Sequence, residues 1–131
     1  MPSTLTVSDQ TVTGKTTHSV TLEFPTERTT VRELIRSRVY QEVQDYNRRK
    51  PETFQGLVRP TEAEQTLNGF KLRAGREIDW KRQFEKAIDA FGRNGFFILV
   101  DDRQAEGLDE EVVIGRDTRV SFVRLVPLVG G

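Results

Sequence analysis

The chain has 131 residues, 35% of them hydrophobic and 31% charged, with 20 basic residues against 20 acidic ones. That size supports one compact domain with its own core, and a net charge of zero gives no electrostatic case for nucleic acid or a membrane surface as partner. The absence of cysteine excludes disulfides, thiol nucleophiles and zinc–cysteine sites.

No apolar run nears the ~18–20 residues of a membrane span. Residues 1–4 lack the basic and apolar regions of a secretory signal, so a cytoplasmic location is expected. In chain order, Thr4-Leu5-Thr6-Val7 and Ser19-Val20-Thr21-Leu22-Glu23-Phe24 alternate polar and apolar side chains. This predicts strands over 4–8 and 18–24. Between them Thr13-Gly14-Lys15 supplies a turn in which Gly14 takes a positive φ. Pro25 ends the second strand.

Thr30-Val31-Arg32-Glu33 reads as a capping box, with Thr30 as N-cap and Glu33 reaching back to its amide. Val31, Ile35, Val39 and Val43 follow at four-residue spacing, flanked by Leu34 and Tyr46. These predict a helix to about Asn47, closed by the cations of Arg48-Arg49-Lys50. Arg32 and Arg36 add to those cations, while Glu33, Glu42 and Asp45 interleave, as on a solvated face laced with ion pairs.

Residues 51–78 are punctuated by Pro51, Gly56, Pro60, Gly69 and Gly75. A short helix capped at Thr61, a hairpin turning at Asn68-Gly69 and an open loop are all compatible with this segment. Beyond it Trp80, Phe84, Ala87, Ile88 and Phe91 fall on one helical face, with Asp79 as N-cap and Asn94-Gly95 as the stop. Such an aromatic stripe is more often core than ligand groove.

Phe96-Phe97-Ile98-Leu99-Val100 reads as a central strand covered on both faces. Asp101-Asp102 turns into a short strand around Arg103-Gln104-Ala105. An irregular return then carries Val112, Val113 and Ile114. The last strand runs from Arg119 to Leu125 and is stopped by Pro127. Leu128-Val129-Gly130-Gly131 follows as a tail. Strands and helices are segregated, so the fold class is α+β, with the first and last strands paired in parallel at the sheet centre.

This order and its residues resemble the ubiquitin-like β-grasp superfamily. Thr11-Val12-Thr13-Gly14-Lys15-Thr16 is similar to the first hairpin turn of ubiquitin. Val20 to Phe24, Thr30-Val31 opening the helix, Phe97 through Gln104, and Arg119 to Val123 continue the likeness. The ending Leu125-Val126-Pro127-Leu128-Val129-Gly130-Gly131 is closer to the sulfur carriers of molybdopterin and thiamine synthesis and to prokaryotic ubiquitin-like proteins. The resemblance covers roughly 4–48 and 95–131. It implies a single domain over 1–131 with a helical insertion at about 50–94 and a tail from about 126.

The resemblance also implies a function. Gly130 and Gly131 would present a carboxylate to an E1-like adenylating enzyme. Pro127, Leu128 and Val129 would form the approach, and the ATP consumed would belong to that partner, so no cofactor is expected on this chain. A transfer enzyme, a deconjugating metalloprotease and target proteins complete the expected partners. Two fates follow an acyl-adenylate: attack by a target amine gives an isopeptide bond, and attack by a sulfur donor gives a thiocarboxylate. A third reading is a non-covalent adaptor or self-assembling β-grasp protein. Ubiquitin's apolar partner patch corresponds to Val12, Leu99 and Val123 here.

No residue pattern predicts catalysis by the chain itself. His18 is the sole histidine and has no serine or carboxylate pattern beside it. Asp101-Asp102 and Asp109-Glu110-Glu111 are turn and loop carboxylates without a partner base. Gly92-Arg93-Asn94-Gly95 is a helix stop, because no Lys-Ser/Thr follows at phosphate-loop spacing. The basic residues comprise 15 arginines and only 5 lysines: Lys15, Lys50, Lys71, Lys81 and Lys86. Arginine stays protonated, so few amine acceptors exist on this chain.

Overall fold

The computed structural model describes residues 2–66, 69–73 and 76–124. Its first two strands, β1 (Ser3–Gln10) and β2 (Thr16–Phe24), form the expected hairpin and run longer than their alternation suggested. Gly14 takes φ +89° in the turn and its amide donates to the Thr11 carbonyl at 2.9 Å. A three-residue strand, β3 (Arg28–Thr30), leads directly into helix α1 (Val31–Arg49).

The start of α1 is fixed from two sides. The Thr30 hydroxyl accepts from the Glu33 amide at 3.2 Å, which is one half of the expected box. The Glu33 carboxylate lies instead 3.8 Å from Arg36. The next free amides, of Val31 and Arg32, donate to the carbonyls of Glu110 at 3.0 Å and Leu108 at 2.9 Å. A helix leaves its first amides without internal partners, and here a distant loop satisfies them. At the other end Lys50 adopts the left-handed conformation, φ 45°, and Pro51 prevents continuation.

The insertion resolves into a hairpin and a helix. Strands β4 (Glu64–Thr66) and β5 (Gly69–Lys71) pair antiparallel, and Phe54 bridges Phe70 with reciprocal backbone bonds of 2.7 and 2.9 Å. Of the three readings of 51–78 the hairpin agrees with the pairing of β4 and β5, Asn68 of its expected turn lies outside the described residues, and Thr61 caps no helix. Gly69 has φ +142°, and a Cβ there would sit 2.7 Å from the Phe54 carbonyl oxygen, so only glycine permits this crossing. Helix α2 (Trp80–Gly92) has Asp79 as N-cap, accepting from the Lys81 amide at 3.0 Å. It ends through Asn94 at φ 61° and the Gly95 amide on the Ala90 carbonyl.

The remaining strands are β6 (Phe96–Val100), β7 (Arg103–Gln104), β8 (Glu111–Val113) and β9 (Val120–Arg124). The main sheet has the order β2-β1-β9-β6-β7, with β1 and β9 parallel at its centre and the other neighbours antiparallel. A separate two-stranded sheet joins β8 to β3. Among the described residues the result is a mixed α+β fold with two helices.

Its core lies between one sheet face and α1. Leu5, Val7, Leu22, Phe24, Ile98, Val100, Val120 and Phe122 meet Val31, Leu34, Ile35, Val39 and Val43, all buried. The expected burial of β6 on both faces is corrected. Phe96, Ile98 and Val100 are buried, whereas Phe97 and Leu99 are only half-covered. The helices stack on one side of this sheet, so the opposite face meets water.

The insertion docks on α1 rather than on the sheet's open face. Tyr46 meets Phe54 edge-on at 5.3 Å, and Tyr40 meets Trp80 edge-on at 5.2 Å. Ala87 is buried, and Trp80, Phe84, Ile88 and Phe91 pack against the core, as the aromatic stripe predicted. The side chain of Asn47 forms a two-bond clasp. It accepts from the Ile78 amide at 2.8 Å and donates to the Ile78 carbonyl at 2.9 Å. Asn47→Ala removes both bonds and should cost about 1–3 kcal/mol. Amide exchange over 50–79 should speed up by the matching factor, and unchanged exchange there would contradict this docking role.

Candidate functional site

The carboxyl-terminal residues singled out by sequence, Pro127, Leu128, Val129, Gly130 and Gly131, lie outside the described residues. What is described is the root from which they follow. Strand β9 is the sheet's inner strand, held by β1 on one side and β6 on the other. It brings the chain to Arg124, which is in register with Phe96, while Val123 is in register with both Gln10 and Phe97. The tail root therefore stands beside the hairpin turn and the start of β6.

Beneath this root lies a buried cluster of charges. Arg38, 1% exposed, forks onto Asp9, 2% exposed: one guanidinium nitrogen donates to Asp9 Oδ1 and the other to Oδ2 at 2.7 Å. Arg38 Nε donates to Glu42 Oε2 at 3.1 Å. The second oxygen of Glu42 accepts from the Leu57 amide at 3.1 Å, so the insertion is tied into the same network. The guanidinium carbon of Arg38 lies 4.8 Å from the centroid of the buried Phe122 ring. Arg124, half-buried, places its guanidinium 5.9 Å from the Phe70 ring of the insertion.

The electrostatics follow from burial and charge balance. Burial opposes the charge on Arg38, but Glu42 and Asp9 outweigh it and hold its pKa above the ordinary value. Burial raises the Glu42 carboxyl above its usual range, partly offset by Arg38 and the Leu57 amide. Burial lowers Arg124, and Arg38 adds to that, against the pull of Asp9 and Glu42. No buried side-chain polar atom among the described residues lacks a partner.

Sequence reasoning missed Asp9 and Arg38, and it placed Glu42 on a solvated stripe. Of that stripe, Arg36 and Arg48 do pair on the surface, with Glu33 at 3.8 Å and Asp45 at 3.3 Å. Glu42 is corrected to the interior, because the insertion's Leu57 closes over it.

The three expected patch residues are not gathered equally. Leu99 and Val123 lie half-exposed on the open sheet face, joined there by Phe97, which pairs directly with Val123. Val12 is 67% exposed in the turn beyond Gln10. The described residues of the insertion pack on the helix side, so they leave this face uncovered.

The other titratable groups hold local structure. Asp101 accepts from the Arg119 amide at 2.9 Å, and Glu110 binds Arg103 and the Glu106 amide. Asp109 pairs with Arg32 at 3.1 Å, and His18 stands opposite Asp9 in the hairpin register. Among the described residues no group of three or more His, Asp or Glu side chains is placed to hold a metal ion, and no helix is long and apolar enough to cross a membrane. No family model, no curated protein and no solved structure matches the chain.

The Glu42 shift has a defined sign. A carboxyl whose folded-state pKa is raised binds its proton more tightly when folded. Its contribution to stability is present below the ordinary value of 4.5 and is lost as pH climbs through the raised folded value. Urea unfolding of the wild type and Glu42→Gln across the acidic range should therefore show the wild type losing stability relative to the variant as pH rises above about 4.5. A pH-independent gap, or one of opposite slope, would remove the buried-carboxyl interpretation.

Proposed function

We propose that the chain is a ubiquitin-like β-grasp protein whose Gly131 carboxylate, as synthesised or after processing, is activated by a separate adenylating enzyme and joined to amines of target proteins. The observation that carries this reading is the last strand. Strand β9 lies parallel to β1 at the sheet centre in the order β2-β1-β9-β6-β7, with α1 packed across one face. This layout is compatible with a β-grasp domain, and it sets Arg124 on an anchored root seven residues before Gly131.

A carboxylate is a poor electrophile until its oxygen attacks the α-phosphate of ATP and releases pyrophosphate. The resulting acyl-adenylate is then attacked by a thiolate or an amine, with AMP leaving. Such a carboxylate has to enter a narrow nucleotide site. Two terminal glycines thin the chain there and widen its accessible φ/ψ, while Pro127 limits the freedom of the approach. The chain supplies the electrophile, and the enzymes supply the nucleophile and the ATP. The half-exposed Phe97, Leu99 and Val123 form the surface we assign to recognition by the activating and transfer enzymes.

The remnant left on a target is dictated by sequence. Trypsin cuts after Arg124, and no Lys or Arg follows it. A conjugated lysine therefore retains Leu-Val-Pro-Leu-Val-Gly-Gly. Tagged chain expressed in its native cells and recovered under denaturing conditions should yield lysine peptides of other proteins bearing that remnant, and none when Gly130-Gly131 is deleted. If the recovered chain instead gains the mass of one sulfur-for-oxygen exchange at Gly131, the adenylate is captured by a sulfur donor and the chain is a sulfur carrier. If wild type and deletion give the same adducts, activation at Gly131 is refuted.

A further inference from the structure

Among the described residues the main sheet ends in a long strand whose outer side carries no backbone partner. Among the described residues β2 pairs only with β1, and none of the loop or cap backbone bonds reaches its other side. An edge of unpaired amides and carbonyls is a template for another strand, and proteins usually blunt it with lysine, proline or a bulge. Here Thr16–Phe24 contains no Lys, Arg or Pro and one acidic residue, Glu23. The register irregularity lies between Asp9 and Gln10, opposite Thr17, so Ser19 to Phe24 runs without interruption. Beside this edge a cleft of about 420 Å³ opens between Thr21–Glu23 and the Arg36, Tyr40 and Gln41 side of α1. Tyr40 is 42% exposed.

We infer that β2 is an assembly edge that pairs antiparallel with β2 of a second copy of this chain. The strand is complementary to itself. Antiparallel pairing about a two-fold axis centred on Val20 sets Thr21 opposite Ser19, Glu23 opposite Thr17 and Leu22 opposite His18. Centred on Thr21, it sets Glu23 opposite Ser19 and Leu22 opposite Val20. In neither register does Glu23 face its own copy, so no like charges oppose one another.

The hydroxyl pairs this pairing creates repeat ones the strand already makes. Thr21 Oγ1 lies 3.2 Å from Thr6 Oγ1, and Ser19 Oγ lies 3.5 Å from Ser8 Oγ across the β1–β2 ladder. Two chains of zero net charge carry no overall repulsion. The two-fold axis stands perpendicular to the sheet, so both copies of α1 lie on one side of the joined sheet.

Sedimentation equilibrium of the full chain over a micromolar to near-millimolar series tests this. The wild type should pass from 15.0 kDa to twice that mass. The β2 amides should gain concentration-dependent protection from exchange. Ser19→Lys/Thr21→Lys/Glu23→Gln sets a lysine opposite a lysine in both registers and leaves no carboxylate on the strand to offset it, so it should raise the dimer dissociation constant at least about tenfold with an unchanged circular dichroism spectrum. Ser121→Lys, on the open sheet face but away from the edge, should leave the constant unchanged. A wild type that stays monomeric throughout overturns the inference. So does a dimer that survives Ser19→Lys/Thr21→Lys/Glu23→Gln, or one that Ser121→Lys dissolves.

Discussion

A full positive charge sits inside this protein with almost no access to water, and the elements around it are arranged to balance it. Arg38 reaches Asp9 on the first strand, Glu42 one turn along its own helix, and the face of Phe122 on the last strand. Moving such ions out of water costs several kcal/mol each, and their attraction offsets that only when geometry and remaining hydrogen bonds are complete. Here they are complete among the described residues. What the cluster contributes is specificity of arrangement. A one-residue slip of β1 would turn Asp9 to the open face and leave Arg38 buried opposite a neutral side chain.

The same cluster explains how an insertion with little sheet of its own becomes part of the domain. Its hairpin strands are three residues each, too short to be stable alone. Leu57 closes the Glu42 carboxylate, Ile78 is clasped by Asn47, and Tyr46 and Phe54 pack edge-on. These tethers all land on α1. The open sheet face is thereby left with Phe97, Leu99 and Val123 half-exposed, and the root of the tail is held by the insertion's Phe70 against Arg124. In the proposed function, the insertion stiffens the platform from behind while the face that meets enzymes stays clear.

Much of this was legible in the residues. The helix starts were written in Thr30 and Asp79, their faces in the four-residue spacing from Val31 and the stripe from Trp80, and the parallel pairing in the order of the strands. The buried charges were not read, although a signal existed. Asp9 continues the period-two row of Leu5 and Val7, and Arg38 falls four after Leu34 and three after Ile35. One unlike charge on each of two apolar faces marks a buried pair. Other features lay beyond local pattern. The strand β3 is too short to show a period, the hairpin over 64–71 depends on Phe54 crossing Gly69, and the half-exposure of β6 depends on which layer receives the insertion. The tail is a different case, since its meaning lies in chemistry performed by another protein.

Arg38 and Asp9 act as one buried unit, and a double-mutant cycle measures that directly. Asp9→Leu and Arg38→Met each leave the opposite charge buried without its main partner, and each should cost about 3–5 kcal/mol of unfolding free energy in urea. The double variant should cost no more than either single one, a coupling of at least about 3 kcal/mol. Additive losses would show that the two side chains stabilise the fold separately, and would contradict the buried charge balance on which the position of the insertion and the tail root depends.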